Sequence, residues 1–139
     1  MITQHAWMFL SSFEKLRAKL QRTDTINMAH LGSRAFEEIG GEVVQTTSFV
    51  MRKSHISSYK GSYYRLIEPT SQQGKENMFL SRKNCYAAKQ DDFLIIPGNP
   101  IAYWASPNVL SVFKNGESLE QIADCCTGCL LYTSPSPRD

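Results

Sequence analysis

Apolar and polar positions along the chain switch between a helical and a strand period. Phe13, Leu16 and Leu20 recur at helical spacing, with Phe9 leading in, and predict an amphipathic helix over residues 12–22. Ser11 and Glu14 stand in S-x-x-E order just ahead of it, which predicts a capping box at its start. Lys15, Arg17, Lys19 and Arg22 fall mainly toward the other side and read as a solvated basic face rather than a contact surface. Met1, Ile2 and Thr3 read as the end of a strand, and residues 25–31 as a short buried strand ending at Gly32. In residues 42–52, Val43, Gln45, Thr47, Phe49 and Met51 share one face, and Val44, Thr46, Ser48 and Val50 the other. Both faces carry apolar side chains, so this segment is expected to be a central strand covered on both sides. Strand, helix, strand, loop, strand is the order of the second half of an α/β sheet closing on an antiparallel pair. An open sheet needs more strands than these, so its first half is expected to precede Met1.

Beyond Lys53 the texture changes. Residues 54–60 are polar, 62–68 predict a strand, 69–74 a loop and 75–90 a helix. Strong turn signals follow at Pro97-Gly98 and Asn99-Pro100. Ser106-Pro107 opens a helix running to about Lys114, with serine as cap and proline at the first position. Residues 118–124 start a further element, and there is no internal repeat.

The chain has 139 residues, enough for one modest domain, and its 42% hydrophobic content is that of a protein with a buried core. A net charge of +2 permits nucleic-acid binding without announcing it. There is no apolar run of the roughly 18 residues a membrane helix needs, and the start has no secretory pattern. Cys85, Cys125, Cys126 and Cys129 form no disulfide framework, and the chain reads as cytoplasmic. Residues 129–139, CLLYTSPSPRD, read as a translated frame of a transposase-type sequencing adapter and are set aside from the fold. Cys126 and Cys129 have C-x-x-C spacing, but a structural zinc site needs four ligands and no second pair accompanies them, so no metal is expected. His5, His30 and His55 have neither paired metal spacing nor a triad partner and read as ordinary polar residues; Asp91-Asp92 reads as a solvated turn.

Three segments together carry a resemblance: TQHAWMFLSSFEKLR (3–17), HLGSRAFEEIGGEVVQTTSFVMR (30–52) and IPGNPIAYW (96–104). In this order and spacing they resemble the adenine-specific DNA methyltransferases of BREX-type phage-defence systems, the PglX-like proteins, from Met1 to about Gly128. The resemblance implies an α/β fold: the C-terminal half of a Rossmann-like class I methyltransferase sheet, followed by the start of a target recognition region. On this reading residues 1–53 close the catalytic domain, 54–95 connect, and 96–128 begin the recognition region. It further implies S-adenosylmethionine as cofactor of a longer parent, double-stranded DNA as partner, and other phage-defence proteins as possible associates. The family's glycine-rich turn and its Asn/Asp-Pro-Pro-Tyr/Phe tetrad are both missing from this sequence, so the chain by itself is expected to be inactive. An alternative of a different class is a non-catalytic DNA-binding or interaction module.

The family reaction flips adenine out of the duplex at a cost of roughly a few kcal/mol and offsets it by stacking, about 1–3 kcal/mol per base. In related enzymes an aromatic residue in the loop after the sixth strand supplies the second stacking face. Phe36 matches that location, although a phenylalanine there can equally plug the loop against the core. Gly40 and Gly41 would allow a tight loop through positive φ, or close approach to the substrate. Tyr103 and Trp104 can stack on bases or pack beneath the turns, and packing is the favoured reading.

Overall fold

The computed structural model describes residues 1–36 and 44–123. Among them, β1 (Ile2–Gln4), β2 (Asp24–Gly32), β3 (Thr46–Arg52), β4 (Lys60–Arg65) and β5 (Cys85–Lys89) form one mixed sheet in the order β1-β3-β2-β4-β5. β3 runs antiparallel to both β1 and β2, so those two are parallel to one another with β3 inserted between them. β4 lies parallel to β2, and β5 closes antiparallel against β4. The carboxyl ends of β1, β2 and β4 therefore share one edge of the sheet. The helices are α1 (Glu14–Leu20), α2 (Gln72–Leu80), α3 (Pro107–Asn115) and a single turn, α4 (Leu119–Ile122).

Register places Met28, Phe49 and Tyr63 on one face, where they meet Trp7, Met8, Phe93, Ile101 and Tyr103 in the core. The last two come from the turn-rich segment after Ile96, which lies under the sheet rather than beside it. α2 covers the opposite face at β4, with Phe79 against Tyr64 at 4.5 Å between ring centroids. The other side of β3 is covered at Thr46, 4% exposed, and opens along the strand to Val50, 53% exposed. The expected coverage of both faces of this strand is thus corrected in part: its central position holds, but within the described residues the second face is covered only toward its Thr46 end.

Two further expectations change. The Ser11–Glu14 capping box does not form; Ser11–Phe13 is a short 3-10 turn, and α1 starts at Glu14 behind Phe13 without a side-chain cap. The predicted helix over 75–90 is instead α2 followed by β5. Ser71 starts α2 early by accepting the Gly74 N–H, and left-handed backbone at Arg82 and Asn84 turns the chain into β5. Residues 85–89 then gain a ladder with β4, Tyr86 opposite Tyr63, and this tertiary pairing overrides the local preference of a short segment. α3 forms as expected, with Ser106 Oγ accepting the Val109 N–H and Pro107 in the first turn.

Arg17 is the largest departure. Predicted on a solvated face, it is 1% exposed and the only buried residue of α1. It stands four residues after Phe13 and three before Leu20, so helical geometry carries it inward on their stripe. Its guanidinium donates to the carbonyls of Trp7 (2.8 Å), Leu10 (2.7 Å) and Gly98, the last through both Nε (3.0 Å) and Nη2 (2.6 Å). Gly98 at φ +79 gives the turn that presents its carbonyl to this fork. One side chain thereby ties α1, the turn after β1 and the Pro97–Pro100 loop together.

Candidate functional site

In open α/β sheets the strands' carboxyl ends turn loose backbone and side chains toward a shared crevice, which is where ligands bind. At this edge Lys75, from α2, extends a buried ammonium to the carbonyls of Leu31 (2.6 Å) and Leu66 (2.7 Å). These are the ends of β2 and the segment just past β4, and the lysine holds them at fixed spacing. Burial lowers its pKa. Gly32 lies at φ +67, and a Cβ there would meet Ile67 Cγ2 at 2.7 Å, so the chain can leave β2 past this neighbour only as glycine.

The loop that leaves β2 carries Phe36, which is 44% exposed. It therefore does not plug the core. Gly40 and Gly41, the other predicted site residues, lie outside the described residues, as do Cys125, Cys126 and Cys129. Trp104 keeps part of its surface open at the same edge, with Phe9 at 5.6 Å and the Arg65 guanidinium 5.4 Å from its ring. Tyr103 packs, as favoured from sequence: its ring stacks on Tyr63 at 5.2 Å and 8°.

Two of the three histidines, expected to be scattered polar residues, meet at this edge. His5, just past β1, and His30, near the end of β2, approach to 2.8 Å between His5 Nδ1 and His30 Nε2. His30 Nδ1 in turn lies 3.0 Å from the Tyr103 hydroxyl. Burial, then the nearby His5, Arg65 and Lys75, push the His30 pKa down to about 4, and burial also lowers that of His5. Sequence held one signal for this: His30 follows Met28 by two residues on an inward face, and a buried imidazole needs partners. The partners come from residues 25 positions before and 73 after it, which no local pattern links. His5 lines a small pocket of about 180 Å³ with Gln4, Ala6 and Gln45. A larger cavity of about 510 Å³, lined mainly by apolar side chains including Trp7, Leu20 and Phe49, lies beside α1.

His55 belongs to a separate cluster at the opposite end of β2. Buried Asp24 accepts from Arg52 Nη2 (2.7 Å), Ser54 Oγ (3.1 Å) and the Ile56 N–H (3.0 Å), and His55 stands between Asp24 and Asp91 at 3.7 and 3.3 Å. The Arg52 hydrogen bond, with the Ile56 N–H, holds the Asp24 carboxyl below its usual range. Asp91, its side chain 38% exposed, stays solvent-facing as expected, beside His55.

The chain is 52% identical over 120 residues to the adenine-specific methyltransferase PglX of Lacticaseibacillus casei (strain Zhang), covering 82% of this chain and 10% of that protein. The chain is homologous to a stretch of adenine-specific methyltransferases. BrxX of Escherichia coli O9:H4 (strain HS), likewise an adenine-specific methyltransferase, is 46% identical over 114 residues, 81% of this chain and 9% of its own length. No protein-family model matches. The chain spans about a tenth of the length of these PglX and BrxX relatives. No helix among the described residues is long and apolar enough to cross a membrane.

Proposed function

We propose that this chain forms the closing strands of the Rossmann-like catalytic domain, and the start of the target recognition region, of an adenine-specific DNA methyltransferase. The full protein would use S-adenosylmethionine to methylate the exocyclic amine of adenine in double-stranded DNA, in the cytoplasm, alongside other phage-defence proteins. The observation that carries this reading is the 52% identity to a stretch of an adenine-specific methyltransferase. The described residues offer no glycine-rich cradle for the cofactor, so the methyl donor would be held by other parts of the longer protein. What these residues would do is bind and orient the base. Phe36 stands exposed on a loop from the carboxyl edge, suited to cover one face of a flipped adenine, and Gly40 and Gly41, which follow it in sequence, are proposed as part of the same substrate-binding segment. Methyl transfer depends mainly on alignment, so a slack base reacts slowly.

The test uses the full-length protein and labelled S-adenosylmethionine. Transfer of label to adenine in duplex DNA is expected; its absence refutes the assignment. Phe36→Ala is expected to lose about 1–3 kcal/mol of stacking, roughly ten- to hundredfold in rate, with Phe36→Trp milder. A mismatch opposite the adenine lowers the flipping cost and is expected to rescue Phe36→Ala in part. A large fall in melting temperature without mismatch rescue would make Phe36 a packing residue instead.

A further inference from the structure

Resting on the reading that a flipped adenine is handled at this edge, we infer that Tyr103 and His30 are positioning residues for His5. They lock its imidazole with the proton on Nε2, so that His5 offers the base a fixed, neutral N–H donor for a ring nitrogen. The three groups come from separate segments, one past β1, one on β2 and one in the turn-rich segment after Ile96. They stand in series at 2.8 and 3.0 Å.

Proton counting sets the direction of this series. Each neutral imidazole carries one N–H and the phenol one O–H. Run outward, Tyr103 donates to His30 Nδ1 and His30 Nε2–H donates to His5 Nδ1, leaving His5 with a free Nε2–H. Run inward, His5 donates to His30 and His30 to the Tyr103 oxygen, and the phenol O–H must find another acceptor. Tyr103 is 3% exposed, and its hydroxyl has no other hydrogen-bond partner among the described residues. A buried donor left unpaired loses its water without replacement, so the outward direction is favoured. Two protonated rings would set N–H against N–H across 2.8 Å, and burial keeps His30 neutral near pH 7. The tautomer of His5 is therefore decided by Tyr103, two hydrogen bonds away.

The outer end of the series is placed for a ligand. His5 is only half-buried, its Nε2 has no partner among the described residues, and its ring lines the small pocket with Gln4 and Gln45. Gln45 also accepts the His5 backbone N–H at 2.9 Å and immediately precedes β3, whose first residue Thr46 pairs with Gly32 at the end of β2. A fixed neutral donor suits an uncharged acceptor such as adenine N7 or N3 and rejects an analogue with C–H in that place, because the donor is then left unpaired.

The experiment compares methylation by the full-length protein of duplexes whose target is adenine, 7-deazaadenine or 3-deazaadenine. Wild type is expected to disfavour one of the two analogues by about tenfold or more in kcat/KM. His5→Leu and Tyr103→Phe are both expected to methylate adenine and that analogue about equally, with melting temperature as a folding control. Tyr103→Phe keeps the ring that packs on Tyr63, so a purely structural tyrosine would leave discrimination intact. Discrimination that survives in either folded variant overturns the inference. Wild type treating all three bases alike does so without any variant. A protein that does not methylate adenine at all refutes instead the functional reading on which the inference rests.

Discussion

Arg17→Met removes a buried guanidinium while keeping most of its apolar stem. Four charge-assisted hydrogen bonds to three carbonyls are lost, each worth about 1.5–3 kcal/mol. Against this, methionine avoids the several kcal/mol needed to desolvate a cation. The carbonyls of Leu10 and Gly98 are partly accessible and can recruit water, but the bond to Trp7 is buried. The balance is a loss of about 3 kcal/mol, concentrated where Arg17 holds the Pro97–Pro100 loop to α1. Hydrogen exchange read by mass spectrometry on the full-length protein suits such a local effect. Peptides covering residues 96–104, including the Ile101 N–H bonded to the Met8 carbonyl, are expected to exchange roughly a hundredfold faster. β4 and β5 should change far less. Arg17→Lys keeps the charge without the planar fork and is expected to fall between wild type and Arg17→Met. If Arg17→Met exchanges within a factor of two of wild type, or Arg17→Lys restores full protection, the guanidinium is not what joins these segments.

Two other outcomes follow from the packing. Asp24, with its pKa lowered chiefly by Arg52, binds its proton less readily folded than unfolded, so its stabilisation is full above the ordinary carboxylate range and fades as pH falls toward the lowered value; Asp24→Asn should flatten that acid limb in melting curves taken as a function of pH, and an unchanged limb would assign it to other groups. Gly61 sits on β4 where a Cβ would collide with the Thr25 backbone carbonyl and press on Tyr63 at 3.2 Å; Gly61→Ala should cost about 1–3 kcal/mol by overpacking, visible as a lowered melting temperature, and a neutral substitution would mean the β2–β4 spacing yields easily.

The α/β class, β1 to β3 in order, and the capped α3 were legible because each rests on local rules: a short strand closed by Gly32 at β2, a period of two on β3, and Ser106-Pro107 at a helix start. The carboxyl edge was legible only as Phe36 and its glycines, through family likeness rather than through any pattern of their own. What the sequence could not disclose is which polar residues would be buried together. Arg17 shares the stripe of Phe13 and Leu20, yet its burial depends on Gly98, 81 positions away, turning its carbonyl inward. His5, His30 and Tyr103 show no common period, and only the insertion of β3 between β1 and β2, with residues 101–103 packed beneath, brings them into line. The Cys85–Lys89 strand likewise exists because β4 offers it a ladder. Local propensity is set within a few residues, whereas the pairing of a buried charge or imidazole is set by whatever the folded chain places within 3 Å of it.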